Sequence, residues 1–561
     1  MKSWLTSNRY VLLLTAIAII LRMPGVTDGL PAVYNPTEYF LAKIALGMGA
    51  RSSPDPLIYI YPPFFGYLLL ILYAGYYLFG KLTGLFSDQV MFAVKFLVDP
   101  DMFYILGRTL SLAIMILIIW VTFRMIRKYR GAYEARVTAG LITASMTLFP
   151  FSTSATPEML LLLWSLLAVL IYLPLRQNPS LGMMFLAGIL AGLAAGTKYN
   201  AGALVLAPFL FVLVNREKFS IGVSKSMLVA AAGIVCGFFI PNLHIALAPG
   251  GYLNGIRSVV EQMYFAPSVS DSVFLPALFE QLIRNELLLG VLFLVVTIYY
   301  LICRFRKEFH LLIPLILTLM IVMSWSKTGT DYLIPVFPVL IIFSGRFITG
   351  IIKSVRWQRL ILVLIFVPIA AQQCLLFIRT INLDTREQAT SWLIETVRPE
   401  DRLCYDHDHY DIGVFDIRRF TEYGAGAKSL APEIKNRVGA YADAPRQVSL
   451  VPVLYAQGKG EASGFLDERS KYRRKTLRQL LNEDMTLLMT NAWFYAPYLK
   501  ALPENYPESV STRIRSVQNF YRQLLRFEPV KKFEPDFWHK GPLLKIYRFD
   551  SHGETIDQHS F

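Results

Sequence analysis

The chain has 561 residues, of which 54% are hydrophobic and 17% charged, with a formal net charge of +15. A soluble domain carries about 25% charged residues, so a wholly water-soluble globule is excluded, and the mean hydropathy of +0.44 agrees. The basic excess does not signal nucleic acid, because membrane proteins gather Lys and Arg in cytoplasmic loops.

Lys2 and Arg9 precede an apolar stretch at 10–20 with no small-residue cleavage site, which reads as a retained first span. A loop at 24–61 follows. Segment 64–85 opens after Pro62 and Pro63 and carries Tyr67, Tyr73, Tyr76 and Tyr77, residues that favour the membrane–water boundary. Further apolar runs, near spanning length, lie at 113–122, 158–175, 286–303, 311–325 and 360–377. From about Asp384 onward charges are dense and no run approaches that length. The expected organisation is a membrane domain over 1–381 and a small α/β domain over 382–561. In the latter, alternation predicts strands at 450–455, 486–490 and 543–549, and helices at 386–397 and 512–527. The four cysteines, Cys236, Cys303, Cys374 and Cys404, are scattered and suggest neither a metal knuckle nor a disulfide framework.

Basic residues set the orientation. They cluster at Arg124, Arg127, Lys128, Arg130 and Arg136, at Arg216, Lys218 and Lys225, at Arg304, Arg306 and Lys307, and at Lys353, Arg356 and Arg359. All fall in the cytoplasm, with Lys2 and Arg9, if 64–85 lies along the outer interface instead of crossing. The expectation is about eleven spans, within a range of about 11–13, with the N-terminus inside and the C-terminal domain outside. Asn35 and Asn178, the only starts of an Asn-x-Ser/Thr triplet, are each followed by Pro, which fits a bacterial inner membrane.

The first external loop holds Asp28, Glu38 and Asp55 close to the membrane surface. A carboxylate there can take a proton from an attacking nucleophile, and Arg51, Arg108, Lys198 and Lys327 can stabilise a departing phosphate. On composition alone, solvated loop charges are the plainer reading. Lys198 ends an apolar run, where a cation must be paired or snorkel; phosphate binding and snorkelling stand level for it. A divalent cation is a minor expectation, at Asp99-Pro100-Asp101 or at His407, His409 and Asp411. His244 reads as an interfacial polar residue.

Several stretches carry a resemblance. VYNPTEYFLAKIALGMG (33–49), then Asp55-Pro56 and Tyr61-Pro62-Pro63, is similar to the first external loop of the GT-C glycosyltransferase superfamily. Within it the chain resembles the bacterial protein O-mannosyltransferase-like and aminoarabinose transferase-like group. GRTLSLAIMILIIWVTFRMIRKYRG (107–131), FSTSATPEMLLLL (151–163), LAGILAGLAAGTKYNAGALVL (186–206) and DYLIPVFPVL (331–340) follow in the family's order. DTREQATSWL, TNAWFYAPYL and GPLLKIYRF resemble the start, middle and end of its external domain.

The resemblance implies a polytopic GT-C-like membrane fold, a polyprenyl-phosphate sugar donor, an external site and inversion at the sugar carbon. The acceptor would be a lipid, a glycan or a protein. The family's Asp-Glu pair falls by position on Thr37-Glu38, so Thr37 stands where the presumed base would be. Glu38 would position the acceptor or act as base, with Asp28 and Asp55 as substitutes, while Arg108 and Lys198 would meet the leaving phosphate. Tyr61 and Tyr199 lie in matching motifs, and Asp331 stands where many relatives carry a basic residue. A non-catalytic relative that binds a carrier lipid or a partner transferase is the alternative. A transporter, with a repeat between halves and paired midplane charges, ranks third.

Overall fold

The computed structural model describes residues 2–31, 33–219, 222–265, 282–323, 330–396, 401–405, 449–452, 486–500, 504 and 508–549. Most of these are helical. Among the described residues, six helical stretches are long and apolar enough to cross a membrane: Asn8–Thr27, Phe64–Thr83, Asp101–Arg130, Glu158–Gln177, Val223–Leu247 and Val355–Leu393. Four shorter apolar helices join them, at Leu181–Ala195, Tyr199–Val214, Leu288–Cys303 and Phe337–Ile351. The chain is therefore a polytopic helical membrane protein. Helix breaks lower the number that qualify by length, and Phe305–Met323, which opens with Arg306, Lys307 and Glu308, is a further 19-residue helix among the described residues. Tyr199–Leu206 is a 3₁₀ turn running into Ala207–Val214, and Phe337–Arg346 ends in a π turn. Phe64–Thr83 satisfies the length of a crossing helix, although an interfacial position was expected of it.

The tightest helix pair is Leu181–Ala195 on Val223–Phe239. A Cβ added at Gly188 or Gly192 would lie 2.2 or 2.3 Å from the carbonyl oxygen of Ala230 or Ile234, and one at Gly233 or Gly237 would lie 2.2 Å from that of Phe185 or Ile189. Each helix thus offers a small-xxx-small face, the arrangement that brings backbones together in lipid. The glycine-rich run of the sequence is a packing surface. Gly233→Val is expected to cost about 1–3 kcal/mol or more through overpacking against backbone, read as a lowered unfolding temperature in detergent. An unchanged value would mean that the two helices do not pack this closely.

The C-terminal residues form a five-stranded sheet in the order β2-β1-β3-β5-β4, where β1 is Arg402–Tyr405, β2 Ser449–Pro452, β3 Leu487–Asn491, β4 Lys531–Phe533 and β5 Leu544–Arg548. β1 runs parallel to β2 and β3, whereas β5 is antiparallel to β3 and β4. Side chains alternate across a strand. Leu487 and Met489 therefore face Ala389 and Leu393 of helix Thr385–Thr396, while Leu488 faces Tyr495 and Tyr521 of helices Ala492–Lys500 and Glu508–Leu524. The sheet is a layer between helices. Three expected strands and two expected helices coincide with observed elements to within a few residues; β1, β4 and Ala492–Lys500 are additions.

Candidate active site at the loop ends of the helices

Asn35 sets the geometry of the first loop. Its side chain accepts the Thr37 N–H at 3.0 Å and so caps helix Pro36–Ala50, with Pro36 at the first helical position. The cap turns Glu38 inward, where it is 1% exposed. Arg108, on helix Asp101–Arg130, meets it as a fork: Nε donates to Oε1 at 2.9 Å and Nη2 to Oε2 at 2.8 Å. The remaining Arg108 nitrogen, Nη1, donates to the carbonyls of Val26 at 3.1 Å and Asp28 at 2.7 Å. Glu38 also accepts the Ala155 N–H at 2.5 Å. That approach needs Gly107, because a Cβ there would sit 2.5 Å from the Ala155 Cβ. The Ser111 hydroxyl holds the same segment, donating to the Ser154 carbonyl at 2.6 Å.

A second buried cluster lies three residues further along that segment. Helix Leu181–Ala195 stops at Gly196, and Lys198 occupies the break before the next turn. Its Nζ donates to Glu158 Oε1 at 2.9 Å and to Asp331 Oδ2 at 3.0 Å. The ammonium lies 5.2 Å from the Tyr332 ring centre and 5.9 Å from that of Tyr61. Lys198 therefore does not snorkel. Its ammonium is thus engaged by two carboxylates, whereas the sequence alone left it open to a phosphate. Side-chain exposures of 8% for Lys198, 6% for Glu158 and 27% for Asp331 leave Asp331 as the accessible member.

The two clusters are linked. Thr37, next to Glu38, lies near the Tyr61 phenol, and the Tyr61 ring centre lies 5.9 Å from the Lys198 ammonium. Burial pushes that phenol up, with Lys198 pulling the other way. One polar path runs from Arg108 through Glu38, Thr37, Tyr61 and Lys198 to Glu158 and Asp331. Apart from the adjacent Thr37 and Glu38, its members come from separate parts of the sequence.

The other expected carboxylates are engaged elsewhere. The Asp28 carboxylate pairs with Lys540 of the C-terminal region. Asp55 Oδ1 accepts the Leu57 N–H at 2.8 Å and the Tyr59 hydroxyl at 3.0 Å, while Oδ2 lies 3.5 Å from His244 Nε2. Burial pushes the Asp55 carboxyl up, but those hydrogen bonds and His244 outweigh it and hold the group below the usual carboxylate range. Arg51 donates to the Asp55 carbonyl at 2.8 Å. Tyr199 reaches the same loop through its hydroxyl, which donates to the Tyr59 carbonyl at 2.9 Å. Thus Asp55, Tyr59, Tyr199 and His244 shape a turn beside the network. Lys327 and the stretch with His407, His409 and Asp411 lie outside the described residues. Asp99 is ion-paired with Lys95, so its carboxylate already holds a cation.

Among the described residues, the buried charges absent from the sequence-based set include Glu158, Arg22 and Glu286. Arg22 is fully buried, donates to Ser152 Oγ at 2.9 Å and to the Thr143 carbonyl at 3.0 Å, and lies 4.9 Å from the Phe149 ring centre. Glu286 accepts from the Ser145 hydroxyl at 2.6 Å and the Thr147 N–H at 2.7 Å. Both hold the loop before helix Leu148–Ser152. Each of the three is a charge within or beside an apolar run, the signal that singled out Lys198.

Fold and site together describe a polytopic membrane protein with a buried ionic network at one end of its helices. The family model described as dolichyl-phosphate-mannose-protein mannosyltransferase matches residues 104–245, the stretch that supplies Arg108, Glu158, Lys198 and Tyr199. The chain resembles the GT-C membrane glycosyltransferases. No curated relative matches the sequence. Among solved structures, ArnT from Cupriavidus metallidurans bound to undecaprenyl phosphate is 16% identical, with 96% of this chain and 98% of that chain covered and a TM-score of 0.48. The archaeal oligosaccharyltransferase AglB from Archaeoglobus fulgidus, in complex with an inhibitory peptide and a dolichol-phosphate, is 13% identical, with 91% and 72% covered and a TM-score of 0.46.

Proposed function

We propose that this chain is an inverting glycosyltransferase that moves a sugar from a polyprenyl-phosphate-linked donor to an extracytoplasmic lipid, glycan or protein acceptor. The supporting observation is the Lys198, Glu158 and Asp331 cluster, near Tyr61, Thr37 and the Glu38–Arg108 pair, with Arg108, Glu158 and Lys198 supplied by the family-matched segment. The basic residues Arg124, Arg127, Lys128 and Arg130 lie at the opposite end of helix Asp101–Arg130 from Arg108. This supports a cytoplasmic basic face and an external site.

In the proposed reaction the acceptor oxygen or nitrogen attacks the anomeric carbon opposite the carrier. The new bond to that carbon forms as the bond to the phosphate oxygen breaks, and the phosphate leaves with the electron pair. The acceptor proton goes to a carboxylate. Asp331, the most accessible carboxylate of the three in the network, takes that role, with Lys198 and Glu158 fixing its position. Glu38, fully engaged by Arg108 and Ala155, positions the loop instead of acting as base. Lys327 is assigned to the leaving phosphate by its place four residues before Asp331.

The non-catalytic reading is favoured by one observation, Thr37 at the family's Asp position, where it lies near the Tyr61 phenol. Donor class is tested by native mass spectrometry of the purified protein with undecaprenyl phosphate and phosphatidylglycerol in equal amounts. Selective retention of one undecaprenyl phosphate is expected, and equal exchange of the two lipids would contradict the donor assignment.

A further inference from the structure

Helix Val355–Ile381 is the last long apolar helix, and it faces outward: Val363 is 56% exposed and Val367 62%. Trp357, 61% exposed, lies near its start and Arg379 in its last turn. Twenty-two residues separate them, about 33 Å along a helix, which matches a hydrocarbon core of about 30 Å. The two side chains thus stand about one hydrocarbon thickness apart, an aromatic at one end and a cation at the other.

A turn from the C-terminal region is fastened to the Arg379 end. Arg379 Nε donates to the Phe537 carbonyl at 2.8 Å, and Asn382 Nδ2 donates to the Trp538 carbonyl at 3.1 Å. The turn is rigid by construction. Asp536 Oδ1 accepts the N–H groups of Trp538 and His539, each at 2.7 Å, and the His539 ring lies 2.9 Å from the same oxygen. Its two aromatic rings nevertheless project outward, Phe537 59% and Trp538 51% exposed, packed edge to face at 4.8 Å. Ile381 and Leu383, beside them at the helix end, are 60% and 58% exposed.

We propose that the Phe537–Trp538 turn is a membrane-interface anchor, seated in the headgroup–acyl boundary of the leaflet where helix Val355–Ile381 ends. Two large aromatic rings on a closed turn lose little conformational freedom on insertion and suit a boundary with one apolar and one wet side. The occupant is the lipid interface because the rings continue the lipid-facing surface of the last helix. The anchor also reaches the site. Lys540, two residues beyond Trp538, pairs with the Asp28 carboxylate, and the Asp28 carbonyl accepts Arg108 Nη1 at 2.7 Å. Lipid contact at Trp538 therefore holds the C-terminal region at a fixed height over the first loop. The inference does not depend on sugar transfer.

The test uses the full chain in nanodiscs with and without lipid brominated high on its acyl chain. The chain has eight tryptophans, so the Trp538 signal is the fluorescence of the wild type minus that of Trp538→Phe. Brominated lipid is expected to quench that difference signal, as for a ring at the interface, with aqueous iodide having little effect. Quenching by iodide without quenching by lipid would overturn the proposal, leaving the turn facing water or a protein. A second reading uses Trp538→Cys carrying a bimane label, with Cys236, Cys303, Cys374 and Cys404 replaced by Ser. Blue-shifted emission supports the anchor, and the emission of the dye in water overturns it.

Discussion

Asp331→Asn is expected to lower sugar transfer by about 10²–10⁴-fold, the usual contribution of a general base, while the protein still folds. Asparagine keeps the size of the side chain and one oxygen for the Lys198 hydrogen bond, now 3.0 Å long, and the exposure of Asp331 makes the structural cost small. The cluster becomes neutral, Lys198 against Glu158, but can no longer take a proton at position 331. Asp331→Glu should recover part of the rate, since it restores the carboxylate with displaced geometry. Lys198→Met serves as the contrast. It leaves Glu158 and Asp331 without their shared cation, at side-chain exposures of 6% and 27%, and should lower both stability and transfer. Turnover of Asp331→Asn at the wild-type rate would remove Asp331 from the chemistry.

The second large effect is on stability. Glu38 and Arg108 have side chains 1% and 5% exposed, and removing one partner of such a pair strands a buried charge at a cost of about 3–5 kcal/mol. Glu38→Ala and Arg108→Ala should each lower the unfolding temperature strongly, compared in one detergent at one scan rate. Glu38→Leu combined with Arg108→Met should cost less than the sum of its single changes, because no charge is then stranded. The same series separates two roles for Glu38. As a positioning residue, Glu38→Gln loses stability and transfer together. Loss of transfer at unchanged stability would return Glu38 to the role of base.

The membrane class, the apolar segments and most of the C-terminal strands were legible because each rests on local pattern. β1 and β4 were not, being three or four residues long and carrying Arg402, Lys531 and Lys532, which mask any alternation. Site membership was legible only in part. Glu38, Arg108, Lys198, Tyr61 and Asp331 do meet in one network, but their partners are tertiary: 70 residues separate Glu38 from Arg108 and 133 separate Lys198 from Asp331. Without those pairings Lys198 looks like a free cation for a phosphate, and Glu38 like a free base. Glu158 opens an apolar run as Lys198 ends one, so the same cost argument applied to it would have found it. Likewise, the glycine-rich run acquires its meaning only when Val223–Phe239 is seen packed against it.

If this chain transfers a sugar and Asp331 takes part, envelope glycans must depend on both the protein and that carboxylate. The direct measurement compares cells lacking the protein with cells carrying the wild type or Asp331→Asn, by mass spectrometry of polyprenyl-phosphate sugars and envelope glycans. The account predicts that deletion removes one glycan modification and raises the polyprenyl-phosphate sugar that feeds it, and that the wild type reverses both while Asp331→Asn reverses neither. Unchanged glycans on deletion would contradict transfer, and full restoration by Asp331→Asn would contradict the site.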